Sequence, residues 1–186
     1  MIISLSGKAG SGKSTVAKYL AQALGAEEHH LATTLRDELA SLGMPRALME
    51  SQEGKASQIV WDGQQVTVRE AMCSHGAKRF AENPLWLLEG LLKDYYPSRL
   101  IVVDDVRRKN EATNLAFFGP VIRIEHFDET DSQDITELDL DDWPYFDMTM
   151  YPAFGELKQT AFHIIRGLAP WFSAEPMLLT ASARLI

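Results

Sequence analysis

The chain has 186 residues, with 18 basic and 26 acidic side chains and a formal net charge of −8. This length favours a single domain over residues 1–186, with a hydrophobic core of its own. The acidic balance argues against nucleic acid as a partner, because neutralising phosphates takes an excess of Lys and Arg. It leaves small anionic ligands open, since charge can be segregated along a chain.

Cysteine content and apolar runs indicate where the protein works. Cys73 is the only cysteine, which excludes an intramolecular disulfide and any zinc site built on a cysteine pair. The N-terminal residues carry no basic leader, and no apolar run approaches the ~20 residues that a membrane helix needs. We therefore expect a cytoplasmic protein without a membrane partner, in the host cytoplasm if the source is a virus. The five histidines are scattered apart from His29-His30 and show no metal-ligand spacing.

Strand and helix patterns alternate along the chain. Strands are predicted at residues 2–6, 26–31, 100–103, 121–125 and 147–151. Helices are predicted at residues 13–24, from Thr33 or Thr34 as the cap through 42, at 68–81, from Asn83 to about 95, at 110–118 and at 157–168. Residues 44–66 are irregular or partly helical in this interpretation. The alternation predicts an α/β fold with a mostly parallel sheet.

A phosphate-binding loop lies between the first strand and the first helix. Residues 7–14 match the P-loop pattern, Gly, four residues, then Gly-Lys-Ser. In such a loop the backbone N–H groups converge on phosphate oxygens, Lys13 reaches the β- and γ-phosphates and the Ser14 hydroxyl ligates Mg²⁺. The expected nucleotide-binding residues are Gly7, Lys8, Ala9, Gly10, Ser11, Gly12, Lys13, Ser14 and Thr15.

Two carboxylates and three cations follow the strand at residues 100–103. Asp104 and Asp105 stand where open α/β sheets bind ligands, so either could hold Mg²⁺ together with Ser14. Successive strand residues point to opposite faces, which predicts that one of the two faces the metal. Arg107 is the favoured cation for the transferred phosphoryl group, whereas Lys109 is interpreted as part of a solvated helix face.

Several segments resemble the phage-type deoxynucleoside monophosphate kinases. Residues 105–111 are similar to that family's Asp-Val-Arg-x-x-Asn-Glu signature, and residues 67–72 with Gly76 and Trp86 resemble its Arg-Glu-x-x-Gln helix, glycine and tryptophan. Residues 31–36 resemble its Ala-Asp-x-Leu-Lys segment, and residues 134–137 resemble a degraded His-x-Ser-Glu. The resemblance runs from Met1 to about Leu157.

The resemblance implies a P-loop kinase of three layers, with a five-stranded parallel sheet in the order 2-3-1-4-5 and helices on both faces. ATP would be the donor, Mg²⁺ the metal and a deoxynucleotide the acceptor. Lys13, Asp105 and Arg107 would be catalytic. The candidates for the acceptor phosphate are Arg36, Arg69 and Arg79, with Glu70 orienting Arg69; Trp86 is a core residue or a base-stacking one.

One stretch sets the net charge. Between Ile124 and Leu157 there are 11 acidic residues and no Lys or Arg, so the rest of the chain has 15 acidic and 18 basic residues, a net of +3. Residues 125–142 are a candidate lid, its arginine supplied by Arg107, Arg108 or Arg123, or else an acidic surface loop. The tail at 170–186 is either a helix on the body or a subunit contact in a homodimer.

Two other functions stay open at this point. One is a P-loop kinase of another small phosphorylated metabolite, and the other is a nucleotide-gated regulatory ATPase. A GTPase is disfavoured, because the Asn/Thr-Lys-x-Asp motif that reads guanine does not occur.

Overall fold

The computed structural model describes residues 1–125, 139–153 and 155–172. The chain divides into two compact units, Met1–His30 with Tyr95–Ile186, and Leu31–Asp94. A single domain over 1–186 stays a prediction. None of the helices in the described ranges is long and apolar enough to cross a membrane.

The secondary structure of the described residues alternates strands and helices. The strands are β1 (Ile2–Ser6), β2 (Glu27–His29), β3 (Gln58–Trp61), β4 (Gln64–Thr67), β5 (Ile101–Val106), β6 (Val121–Ile124) and β7 (Met148–Met150). The helices are α1 (Lys13–Leu24), α2 (Ala32–Ser41), α3 (Arg46–Glu50), α4 (Gln52–Ala56), α5 (Val68–Glu82), α6 (Trp86–Leu92), α7 (Lys109–Leu115) and α8 (Leu157–Gly167), with a 3₁₀ helix at Ala169–Phe172.

The first unit is built on a five-stranded sheet. Its strand order is β2-β5-β1-β6-β7, and all four pairs are parallel. These labels differ from the predicted 2-3-1-4-5 because the chain contains two further strands, β3 and β4, which the sequence interpretation missed. When only the five strands of this sheet are numbered along the chain, the first strand lies at the centre, between the third and the fourth.

Both faces of this sheet are covered. Ile3 and Leu5 of β1 pack in one cluster with side chains of α1 and α8, and both are fully buried. Ile2 and Ser4 point to the opposite face and are also fully buried. A central strand buried on both sides is what continuous apolar runs predict in a parallel sheet.

The second unit, residues 31–94, holds the antiparallel hairpin of β3 and β4 and helices α2 to α6. Its core consists of Leu39, Met44, Met49, Val68 and Ala71. The hairpin turns at Asp62-Gly63, where both residues have positive φ (50° and 76°), as a type I′ turn requires. The region left irregular in the sequence interpretation is therefore two short helices and this hairpin.

The N-termini of α2 and α5 are capped differently. Neither Thr33 nor Thr34 caps α2: the helix begins at Ala32, after Leu31, which makes no side-chain cap. Thr67 caps α5 in a reciprocal capping box with Glu70, whose carboxylate accepts from the Thr67 N–H at 2.7 Å. Glu70 is therefore committed to the helix start, and it does not orient Arg69 as the sequence suggested.

Candidate active site

The P-loop joins the end of β1 to the start of α1, as its sequence context requires. The Lys13 side chain bends back over the loop, where its Nζ donates to the Lys8 carbonyl at 2.6 Å. The nearby Ser11 hydroxyl lies 3.4 Å from the same nitrogen. The Ser14 hydroxyl, at the second residue of α1, belongs to an exposed residue. The loop thus presents a cation and a hydroxyl at the N-terminal end of a twelve-residue helix.

Gly7 is needed at the first position of this loop. Its φ is 149°, and a Cβ placed there would lie 2.1 Å from the Ile124 carbonyl oxygen. No side chain fits at that distance from backbone, so the close approach of the loop to β6 requires glycine.

A bulge in β5 brings both aspartates to the same place. Ser4 of β1 pairs with Val103 and Ser6 pairs with Val106, so Asp104 and Asp105 together face the single residue Leu5. An extra residue in one strand breaks the alternation of side chains, and bulges re-aim side chains next to functional sites. Carboxylate oxygens of both aspartates lie within one group whose ligand atoms are all within 4.8 Å of one another. The two side chains therefore do not alternate between the faces of the sheet as those of a regular strand would, and which of them would bind a metal stays a prediction.

His30 is the third member of that group, and sequence reasoning missed it. It follows β2, whose last residue His29 pairs with Val103 of the neighbouring β5. The next residue on each strand is His30 and Asp104, and the His30 Nδ1 makes a hydrogen bond with Asp104 Oδ1. The Asp104 side chain is 5% exposed, whereas that of His30 is 44% exposed. Three potential ligands from two adjacent strand ends thus converge, a donor set that accepts a divalent cation.

The turn after β5 is held by Glu111. Its Oε2 accepts from the backbone N–H groups of Arg107 and Arg108 at 3.0 and 3.1 Å. Burial raises the pKa of Glu111 to about 7, although these two donors act to lower it. Glu111 is therefore a structural residue that orders the turn after β5. This turn carries Arg107, whose side chain is exposed.

Arg123 is a buried cation beside the P-loop. It lies on β6 opposite Ser6, and its side chain is 4% exposed. The guanidinium donates to Asp141 Oδ1 at 2.5 Å, to Glu125 at 3.2 Å and to the Ser6 hydroxyl at 3.3 Å. Asp141 also lies 3.5 Å from Nζ of the P-loop residue Lys8. Arg123 is thus held by carboxylates in the body of the first unit.

The predicted lid falls mostly on residues 126–138, which lie outside the described part of the chain, as do residues 173–186 of the predicted tail. The described end of the lid segment is anchored. Asp142 pairs with the Lys109 ammonium at 2.7 Å, and Asp139 accepts from the Lys109 N–H at 2.8 Å. Leu140 is buried beside them.

The three arginines predicted for the acceptor lie in the second unit and differ in their bonding. Arg79 donates to Glu38 and Glu82, and these bonds raise its pKa further. Arg69 is exposed and donates to the Gln52 side-chain oxygen at 2.6 Å. Arg36 is half-buried, and within the described residues its buried Nε has no hydrogen-bond partner. An unsatisfied buried N–H is costly, and an anion is one partner that would satisfy it.

Trp86 belongs to the core of the second unit. It is 4% exposed and stacks edge-on against Phe80, with ring centroids 5.8 Å apart. The Arg79 guanidinium lies 5.4 Å from the centroid of its ring. This environment agrees with the interpretation of Trp86 as a core residue.

Comparisons with known proteins support the fold. No protein-family model matches the chain, and no curated protein matches it. The structure is similar to that of shikimate kinase from Aquifex aeolicus, with a TM-score of 0.54 and 13% identity over 94% of this chain and 100% of that one. A sugar kinase from Janibacter sp. aligns with a TM-score of 0.40 and 14% identity over 95% and 96% of the two chains, which is too weak to carry an argument.

The chain therefore has an α/β fold similar to that of this shikimate kinase, with a five-stranded parallel sheet. The particular likeness to phage-type deoxynucleoside monophosphate kinases finds no counterpart among the family models.

Proposed function

We propose that the chain is an ATP-dependent phosphotransferase that moves the γ-phosphoryl group to the phosphate of a (deoxy)nucleoside monophosphate, giving the diphosphate. One observation carries the proposal. An intact P-loop follows β1, and the carboxylates of Asp104 and Asp105 converge at the end of β5, the strand paired with it. Neighbouring strands are only about 4.8 Å apart, so the loop and the carboxylates share one edge of the sheet.

The residues at this edge would have different roles in phosphoryl transfer. Lys13 and the loop amides would bind the β- and γ-phosphates of the donor. Ser14 and the two aspartates offer the oxygen ligands that Mg²⁺ prefers, and Mg²⁺, when bound, neutralises charge on those phosphates. Arg107, on the turn ordered by Glu111, is our candidate for the transferred group. No general base is required, because the acceptor already presents a phosphate oxyanion.

The acceptor phosphate needs a cation that is not already neutralised. Arg79 is held by two carboxylates, whereas the Arg36 Nε is buried without a partner among the described residues. We therefore assign the acceptor phosphate to Arg36, with Arg69 in a secondary role. The acceptor is a small molecule, and we propose no role for nucleic acid or membrane.

The test is acceptor-dependent ADP formation. Purified protein with Mg²⁺ and ATP is assayed against the four common dNMPs, the four NMPs, other phosphorylated metabolites and hydroxyl acceptors without phosphate. We expect ADP formation only with a nucleoside monophosphate. Turnover with another phosphorylated metabolite alone would replace the substrate class and leave the reaction type.

The regulatory alternative makes a different prediction in the same assay. A nucleotide-gated ATPase releases ADP at the same rate with and without a second substrate. A slow rate that no acceptor changes would therefore overturn the kinase proposal.

A further inference from the structure

His30 gives the candidate metal centre a nitrogen donor. A Mg²⁺ site in a P-loop enzyme is built from a hydroxyl, carboxylates, phosphates and waters, all of which are oxygen ligands. Here a ring nitrogen of His30 lies in the same group of ligand atoms as the two aspartates, within 4.8 Å of a carboxylate oxygen of each. The His30 Nδ1 makes a hydrogen bond with Asp104 Oδ1, so the ring is already turned toward the carboxylates.

The charges of this group favour a cation. The Asp104 side chain is 5% exposed, and Asp105 brings a second carboxylate within 4.8 Å of the same ligand atoms. A cation bound between the two carboxylates would be attracted by both of them. Ligand atoms that share one cation at bonds of about 2.1 Å lie roughly 3–4 Å apart, so His30 and Asp104 would exchange their hydrogen bond for bonds to the cation.

We propose that His30 Nδ1, Asp104 and Asp105 form a mixed nitrogen–oxygen site for a first-row transition cation, with Mn²⁺ bound more tightly than Mg²⁺ and without nucleotide. Imidazole suits transition metals, whereas Mg²⁺ holds its waters and prefers oxygen. The inference rests on the proposed function only in using the same two aspartates. It adds that the metal site exists before ATP arrives.

The first experiment is a calorimetric titration of the nucleotide-free protein with MnCl₂, repeated with MgCl₂. We expect one Mn²⁺ per chain and weaker Mg²⁺ binding. His30→Ala should weaken Mn²⁺ at least about tenfold, the scale of losses seen when metal-site residues are removed. His163→Ala is the matched control, because it removes an exposed imidazole from α8. Circular dichroism and thermal unfolding establish that both variants are folded.

The second experiment needs no variant. Electron spin-echo envelope modulation of the Mn²⁺-loaded wild-type protein reports ¹⁴N coupling when an imidazole nitrogen is a ligand. We expect this coupling in the wild type and in His163→Ala, and its loss in His30→Ala.

Either of two results would overturn the inference. Equal Mn²⁺ affinity in the wild type and His30→Ala, or a wild-type spectrum without ¹⁴N coupling, would mean that His30 only orients Asp104. Because no ATP or acceptor is present, neither result depends on kinase activity. A protein that binds Mn²⁺ through His30 but transfers no phosphoryl group would refute the proposed function alone.

Discussion

The two compact units use their charged residues in opposite ways. In the first unit, charged side chains collect at the carboxyl ends of β1, β2, β5 and β6, where sheet register holds His30, Asp104 and Arg123 beside the P-loop. In the second unit, an ion pair joins two helices: Glu38 of α2 binds Arg79 of α5. In the proposed function the first arrangement binds the donor nucleotide and a metal, whereas the charged residues of the second unit mostly pair with one another.

This contrast shows where a motif is informative. A P-loop or a strand-end aspartate acts through a position that the sheet itself defines, so its role follows from the fold. An arginine on a helix, such as Arg79, has a role that depends on which carboxylates the folding brings to it. Substitutions in the first unit should therefore change catalysis and folding strongly, and those in the second should act mainly on acceptor binding.

The largest expected effect comes from Lys13→Ala. Removing the ammonium that we propose binds the donor phosphates should lower kcat by at least about 10²- to 10³-fold, the scale of loss when one stabilising group is removed from an active site. Lys18→Ala, an exposed lysine on the same helix, should leave kcat unchanged. Steady-state kinetics on both variants, with circular dichroism to establish folding, measures this. A Lys13→Ala protein with ordinary activity would refute the donor site.

The next comparison sets two glycines with positive φ against each other. Gly7→Ala puts a Cβ 2.1 Å from a backbone oxygen, so we expect it to lower the free energy of unfolding by about 3 kcal/mol or more. At Gly63 in the β3–β4 turn, an added Cβ would contact no other atom, and φ is +76°. Gly63→Ala should therefore lower the free energy of unfolding only by the strain of the left-handed backbone, about 1–2 kcal/mol. Urea unfolding measures both. Equal losses would show that the loop can shift away from Ile124.

Glu111 should make the free energy of unfolding depend on pH. Because burial raises its pKa from 4.5 to about 7, the folded state binds more protons than the unfolded state between these values. Its contribution therefore favours the folded state near pH 4.5 and is lost as pH rises to 7, by about 2–3 kcal/mol at 1.36 kcal/mol per pKa unit. Glu111→Gln should lose less stability over that range than the wild type.

Urea unfolding at pH 5 and pH 7.5 checks this. Glu53→Gln, at an exposed position of the second unit, is the control and should follow the wild type. If the stability of Glu111→Gln changed with pH as that of the wild type does, the loss of stability would come from other groups.

The smallest effect distinguishes the arginines of the second unit. Arg36→Ala should raise the KM for the acceptor about tenfold, equivalent to 1.4 kcal/mol, with the KM for ATP unchanged. Arg79→Ala should change the acceptor KM little, because its charge already binds Glu38 and Glu82. Kinetics with the acceptor varied at saturating ATP measures both values. A larger KM effect in Arg79→Ala would reverse the assignment.

The part of this organisation that the sequence predicts is the part with strong local patterns. β-Branched and apolar runs such as residues 2–6 and 100–103 predict the sheet, and glycine spacing predicts the P-loop. The β3–β4 hairpin was missed because its strands have no buried residue and half of their residues are polar, although Asp62-Gly63 is a recognised turn signal. The Asp62-Gly63 dipeptide, flanked by the apolar residues Val60-Trp61 and Val66, is the sequence signal that predicts this hairpin.

The site residues that were missed depend on register. His30 is 74 residues from Asp104 in the chain and meets it only because β2 pairs with β5. The convergence of Asp104 and Asp105 depends on a bulge, which the alternation rule for a regular strand excludes. Arg123 was named only as a candidate lid arginine, although a charged residue inside the apolar run at residues 121–124 must find a partner when it is buried.

The most direct test follows the phosphoryl group itself. ATP labelled with ³²P at the γ-position is incubated with the protein, Mg²⁺ and the acceptor that gives the highest rate of ADP formation, and the products are separated. The proposed function requires the label in the β-phosphate of a nucleoside diphosphate, with no such transfer by Lys13→Ala. Label found only in inorganic phosphate, at the same rate with and without the acceptor, would contradict it.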